Sequence, residues 1–313
     1  MDKGIKIKEL ASKYIRIIAF LVIVAIFSIL SDRFLTMDNF FNVLRQVSTN
    51  GIIALGMTLI IISGGIDLSV GSVMAFAGTI CCGLIASSGI PFPIAILIAI
   101  ACSAGFGLFN GFMVTHVGMP PFIVTLASMQ MVRGCAYIYS QGSPIRVIDE
   151  NFNMIGNGYV GVIPVPVLIF IGVAVVIYLI LHRSKIGMYI YAVGGNKKCA
   201  VYSGINVKKI EMLVYVIGGI CASLGGIILA SRMYSAQPTS SQGAEMDAIA
   251  AAVLGGTSFS GGFGKVLGTI LGVLIIGVMN NGLNILNVPS YYQEVLKGII
   301  ILLAIYADMI KKK

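Results

Sequence analysis

From Pro164 to Leu181 the chain runs eighteen residues without a formal charge, and from Ile94 to Val114 it runs twenty-one. A helix rises about 1.5 Å per residue, so each run reaches across most or all of the roughly 30 Å hydrocarbon core of a bilayer. Further apolar runs lie near Tyr14–Leu30, Asn42–Ile62, Leu68–Ala86, Phe122–Ser140, Glu211–Ser231, Glu245–Thr257, Val266–Asn281 and Tyr291–Ile310. Ten spans of about 20 residues use about 200 residues. The remainder of the 313 supplies loops rather than a second folded domain. The chain is 58% hydrophobic and 11% charged, against about 45–50% and about 25% in soluble domains. That excludes a soluble globular protein, a disordered tail and a nucleic-acid binder. Outer-membrane barrels need short alternating strands, and these runs are continuous. The expected fold is an all-α polytopic membrane protein, with about ten transmembrane helices in a single domain over residues 1–313.

Lys3, Lys6, Lys8 and Lys13 precede the first run, as in a signal peptide. Ser31-Asp32-Arg33-Phe34 follows it instead of a small-residue cleavage site, so the run reads as a retained helix. The formal charge is +9. With the N-terminus inside and the spans alternating, fifteen of the 21 Lys and Arg fall on the inner side. The other six, Arg33, Arg45, Arg133, Arg146, Arg232 and Lys297, fall outside or within the membrane. This positive-inside bias places both termini in the cytoplasm. Two loops are long. Residues 183–210 form a cytoplasmic loop with six basic residues, and 141–163 an external loop suited to contact with an external partner.

The spans at Leu68–Ala86 and Glu245–Thr257 are short or bordered by glycine, which fits either broken helices along a transport pathway or tilted ones with displaced ends. A faint internal echo accompanies them. Ser63-Gly64-Gly65 precedes Gly71-Ser72, and Ser260-Gly261-Gly262 precedes Gly268-Thr269 at the same spacing.

Few polar residues interrupt the apolar runs. Asp67 reads as a helix N-cap or as a gate in the pathway. Glu245 and Asp247 suit a helix first turn. Arg133, with Gln130 one turn earlier, needs a partner or water at mid-depth, or must reach the surface. Glu294 and Lys297 are spaced to pair on one helix face. Asn280, Asn281 and Asn284 offer amide donors and acceptors that suit a sugar or another neutral polyhydroxy substrate, and equally suit bonds between helices. The six cysteines form no CxxC pair, and His116 and His182 have no ligand-spaced partner, so no metal is expected.

In the cytoplasmic loop, Asn196 is a candidate N-cap and Gly204 a candidate C-terminal stop for a two-turn helix. Lys197 and Lys198 sit at its positive end, a local conflict that points either to lipid headgroups or to a docking helix for a cytoplasmic partner. There is no GxxxxGK[ST] motif; Gly264-Lys265 is followed by Val266. If transport uses ATP, another chain hydrolyses it.

Ser63-Gly64-Gly65-Ile66-Asp67-Leu68-Ser69-Val70-Gly71-Ser72, the segment from Ala192 to Val207, and Asp247 through Ser258 resemble the signatures of permeases in bacterial ATP-binding-cassette importers for monosaccharides. The tail from Asn280-Asn281-Gly282-Leu283-Asn284 to Ser290-Tyr291-Tyr292-Gln293 is most similar to members that carry ribose. The chain departs from the family at Lys198-Cys199, where small or acidic residues are commoner. The resemblance implies a non-enzymatic permease in the bacterial inner membrane, supplied with sugar at its outer face by a sugar-binding protein. It implies a permease homodimer surrounded by lipid, driven by a cytoplasmic ATPase subunit that binds the ATP and Mg, with no nucleic acid involved. Gly194, Gly195, Asn196, Lys197, Ser203, Gly204 and Ile205 would then contact the ATPase, and Asp67, Gln130, Asn280, Asn281 and Asn284 would line or gate the pathway.

Other substrates fit the same class: xylose, galactose, autoinducer-2, a nucleoside or a branched-chain amino acid. An ion-coupled secondary transporter would need titratable groups deep in the membrane, and only Arg133, Glu294 and Lys297 are candidates. An intramembrane enzyme lacks a placed nucleophile.

Overall fold

The computed structural model describes residues 2–310. Lys311, Lys312 and Lys313 lie outside the described residues, as do the side chains of Lys3, Lys6, Lys8 and Lys13. The helices are α1 (Asp2–Leu30), α2 (Met37–Ile62), α3 (Val70–Ser88), α4 (Phe92–Phe112, extended by a wider turn to Val117) and α5 (Pro121–Ser140). They continue with α6 (Glu150–Asn157), α7 (Val165–Arg183), α8 (Lys185–Gly195), α9 (Lys197–Tyr202) and α10 (Val207–Arg232), then α11 (Ala244–Leu254), α12 (Val266–Ile285) and α13 (Ser290–Ile310). Among the described residues, six helices are long and apolar enough to cross a membrane: α2, α3, α4 with its extension, α7, α10 and α12.

The packing inverts that of a soluble protein. From Gly51 to Ile62 helix α2 carries a single polar side chain, Thr58, and every residue is buried. A helix without a polar face needs such a central place. The even more apolar α4 and α7 lie at the periphery with most of their surface uncovered. Leu97, Ile138 and Leu302 are 66%, 80% and 71% exposed. Such a rim of apolar side chains is compatible with lipid and not with water.

Helix α10 packs on α2, α3 and α4. Its crossing with α4 is tight because Gly107 and Gly111, one turn apart, face the α10 backbone at Tyr215 and Met212. Small residues at this spacing let membrane helices approach backbone to backbone. Helix α12 packs on α2 and α11, α13 on α11, and α1 on α12.

The two expected broken spans differ. Helix α3 is nineteen residues long. Helix α11 has eleven, about 16 Å at 1.5 Å per residue, and does not reach across a bilayer by itself. The segment 141–163 is folded. It holds β1 (Ile145–Arg146), α6 capped by Asp149, β2 (Tyr159–Val160) and β3 (Ile163–Pro164). Strand β1 pairs with β4 (Ser235–Ala236), and β2 with β3. Ser231 Oγ on α10 donates to Phe152 O (2.8 Å) and accepts from Gly156 N (2.7 Å), which fastens α6 to the bundle.

Candidate functional site

Polar side chains gather at two ends of the bundle. The end remote from α9 contains a cavity of about 440 Å³ between α2, α10, α11, α12 and α13, within the roughly 300–1,000 Å³ usual for small-molecule sites. Apart from Met74, Leu229 and Ala244, every residue on its wall is polar. Gln46, Thr49 and Asn50 come from one face of α2, because positions three and four apart on a helix coincide in direction. Arg232 ends α10, and Ser241 and Gln242 belong to the loop before α11. Asn284 and Gln242 are exposed at the rim, whereas Asp247 and Asn280 are buried at the base.

At that base, Lys297 Nζ on α13 lies 2.9 and 3.0 Å from the two carboxylate oxygens of Asp247 on α11. Asn280 Nδ2 on α12 donates to Asp247 Oδ2 at 3.2 Å. This corrects the expected partner of Lys297. Glu294 is one turn away but exposed, and the deeper Asp247 takes the ammonium. Glu245 serves the helix start as expected, accepting from Gly243 N at 3.2 Å. Arg133 finds its partners in backbone: Nη1 donates to Pro238 O (2.6 Å) and Ser240 O (2.7 Å), bracing the loop at the cavity's edge.

The sequence candidates for the pathway separate. Asn280 and Asn284 line the cavity. Asn281 turns away and forms a reciprocal amide pair with Asn39 on α2, at 3.0 and 2.8 Å. Gln130 lies exposed on α5, off the cavity wall. Asp67 is buried nearer the α9 end. The N-cap of α3 is Ser69, and Asp67 Oδ1 accepts from both Ser69 N (2.8 Å) and Ser69 Oγ (2.6 Å). Asn110 Nδ2 donates to Ser69 Oγ (3.0 Å), and Ser128 Oγ donates to Asn110 Oδ1 (2.6 Å). This relay ties the α2–α3 loop to α4 and α5. Burial pushes the Asp67 carboxyl above its ordinary range, and the Ser69 hydrogen bonds oppose that shift. Gln46, Thr49, Asn50, Ser241 and Gln242 were not singled out from sequence. The polar face at 46, 49 and 50 was the available signal.

At the opposite end, Asn196 caps α9 by accepting from Cys199 N (3.0 Å). Gly204 stops it at φ +78° after Ser203, with Ile205 N donating to Ala200 O (3.0 Å). The conflict at Lys197 has a local resolution, an ion pair with the buried Glu211 on α10. Lys198, Val201 and Tyr202 remain exposed.

Three backbone segments converge beneath this helix. Gly262 N donates to Ile62 O (2.8 Å), joining the α11–α12 loop to the end of α2. Gly194, near the end of α8, packs directly on the same Ile62 carbonyl. Tyr191 OH donates to Gly264 O (2.7 Å). The two echoed glycine bends therefore meet in space. Each follows a buried helix, each turns through a left-handed glycine (Gly64 φ +86°, Gly261 φ +83°), and a β-carbon on Gly261 would come within 3.2 Å of Gly64 Cα.

A family model described as the permease component of branched-chain amino acid transport systems matches residues 39–305. The chain is 46% identical to the ribose import permease RbsC of Bacillus subtilis over 92% of this chain and 89% of that one. It is 45% identical to RbsC of Escherichia coli K12 over 93% and 92%, and 39% identical to the D-allose transport permease AlsC of that organism over 93% and 90%. No solved structure matches.

Proposed function

The chain belongs to the permease-component family of branched-chain amino acid transport systems, and from that premise we propose that it is the membrane subunit of an ATP-driven importer of ribose. The observation that carries this reading is the amide-rich cavity of about 440 Å³ at the end of the bundle remote from the α9 helix. Its one acid, Asp247, is already paired with Lys297, and six amide side chains supply most of the remaining polar wall, a lining that suits a polyol. Similarity to the two ribose import permeases selects ribose among neutral sugars.

In this reading α1 to α5, α7 and α10 to α13 make ten membrane segments, with the α9 end and both termini in the cytoplasm. A separate ATPase, binding ATP and Mg, docks on Asn196–Gly204. A sugar-binding protein docks at the other end over the folded 141–163 segment. Two permease copies form the working unit within the lipid. Closure of the ATPase displaces α9. The Lys197–Glu211 pair passes the displacement to α10, and the Gly194 contact passes it to Ile62 and the α11–α12 loop. Helices α2, α10, α11 and α12 also wall the cavity, so movement at the docking end reshapes the sugar's surroundings.

The test is uptake of labelled ribose in cells with and without the gene, against unlabelled xylose, galactose and ribose. Gene-dependent uptake that only ribose competes is the expected outcome. Uptake that survives ATP depletion but fails when ion gradients collapse would replace this reading with a secondary transporter.

A further inference from the structure

Two polar atoms on the cavity wall have no hydrogen-bond partner among the described residues. Asn280 is 5% exposed, and while its Nδ2 serves Asp247, its Oδ1 has no hydrogen-bond partner among the described residues. Ser241 Oγ, on the same wall, is likewise unpartnered. Buried acceptors and hydroxyls are almost always satisfied, so two on one cavity wall point to a ligand that satisfies them. The neighbouring ion pair needs explanation as well. Charges at this depth are unfavourable unless matched, and an apolar contact would join α11 to α13 at least as well. Asp247 and Lys297 instead present a carboxylate and an ammonium side by side next to the Asn280 amide.

Resting on the importer reading above, we propose that Asn280, Ser241 and the Asp247–Lys297 pair form a transient binding site for the vicinal hydroxyls of a neutral monosaccharide. A hydroxyl both donates and accepts. One hydroxyl donates to the Asp247 carboxylate while accepting from Lys297 Nζ, and its neighbour donates to Asn280 Oδ1. Ser241 Oγ bonds to either. Asp247 and Lys297 balance each other, so these four residues demand no charge of their cargo. The contact is meant to be weak, since cargo must leave as readily as it enters.

The test uses the complete importer, with its ATPase and binding protein, in proteoliposomes loaded with ATP and supplied with labelled ribose. Asn280→Ala lowers maximal uptake at least tenfold, while the concentration giving half-maximal uptake, set by the binding protein, moves less than threefold. Ser241→Ala, a small change in a loop, lowers uptake severalfold without loss of assembled complex. The charge-swapped double variant Asp247→Lys/Lys297→Asp separates structure from recognition. It keeps an ion pair between α11 and α13 but moves the carboxylate away from Asn280, so it assembles and hydrolyses ATP yet does not transport. Full uptake by the charge swap, or by both Asn280→Ala and Ser241→Ala, overturns the site while leaving the importer reading intact. Absence of ribose uptake by the unaltered importer overturns the substrate reading and the ligand of this site together.

Discussion

Gly194 sits on the Ile62 carbonyl so closely that a single added methyl would enter that oxygen's contact shell. The same oxygen accepts from Gly262 N at 2.8 Å, so three segments share one carbonyl. Overpacking against backbone displaces it, typically by 1–3 kcal/mol of strain. Gly194→Ala is expected to leave membrane insertion and ATP hydrolysis by the complex in place and to lower ribose uptake by about tenfold, as about 1.4 kcal/mol implies. Gly195→Ala, whose methyl meets nothing within 4 Å, has the smaller effect. Paired measurements of ATPase rate and uptake check this. Equal uptake by the two variants would remove the junction from the coupling route.

The Lys197–Glu211 pair has one half-exposed and one buried member. Solvent around Lys197 limits its worth to about 1 kcal/mol. Removing the lysine strands a buried carboxylate, whereas Glu211→Gln leaves a neutral amide and a lysine free to enter water. Lys197→Ala is therefore expected to lower the Tm of the purified permease more than Glu211→Gln does. A double-mutant cycle on thermal stability would read the coupling, and a value near zero would show that the two side chains do not act together.

Asp67 is buried with hydrogen bonds from Ser69, and no ion pair to it is found among the described residues. Burial disfavours its charged form, so a neutral acceptor of the same shape is a fair replacement. Asp67→Asn is expected to keep most stability. Asp67→Ala leaves the Ser69 N–H and hydroxyl without their acceptor, at about 1–3 kcal/mol. Thermal unfolding in detergent distinguishes them, and equal losses from both substitutions would mean that the negative charge itself is required.

Asn280 and Asn281 are adjacent and serve different ends. Asn281→Ala leaves Asn39 Oδ1 without its donor, although Asn39 Nδ2 keeps Phe34 O (2.8 Å), and is expected to reduce stability by about 1–3 kcal/mol while the molecules that fold transport normally. Uptake normalised to folded permease checks this. A transport defect in Asn281→Ala as large as that of Asn280→Ala would show that the α2–α12 amide pair belongs to the pathway.

The membrane class and the α9 helix were legible because both are local. Long uncharged runs mark α4 and α7, and Asn196 and Gly204 carry the start and stop of α9 in their own side-chain chemistry. The candidate site was only partly legible. Asn280 and Asn281 look alike as letters, and a rotation of about 100° along a helix sends one to the cavity and the other to α2. Lys297 had a nearer acid in sequence, Glu294, and its actual partner is fifty residues away on another helix. Asp67 looked like a cap, yet the N-cap of α3 is Ser69, two residues later. Each of these depends on which helices become neighbours, a property of packing rather than of local pattern. The spacing of Gln46, Thr49 and Asn50 is a polar face that local pattern does carry.

Helix α2 supplies Asn50 to the cavity and Ile62 to the glycine junction, twelve residues or about 18 Å apart on one rigid rod. A rod held by tight packing around its middle behaves as a see-saw. Any tilt that carries Ile62 outward from the bundle axis carries Asn50 inward by a similar amount. Opening at one membrane face and closing at the other are then a single rotation, and a state open at both faces would require this helix to bend.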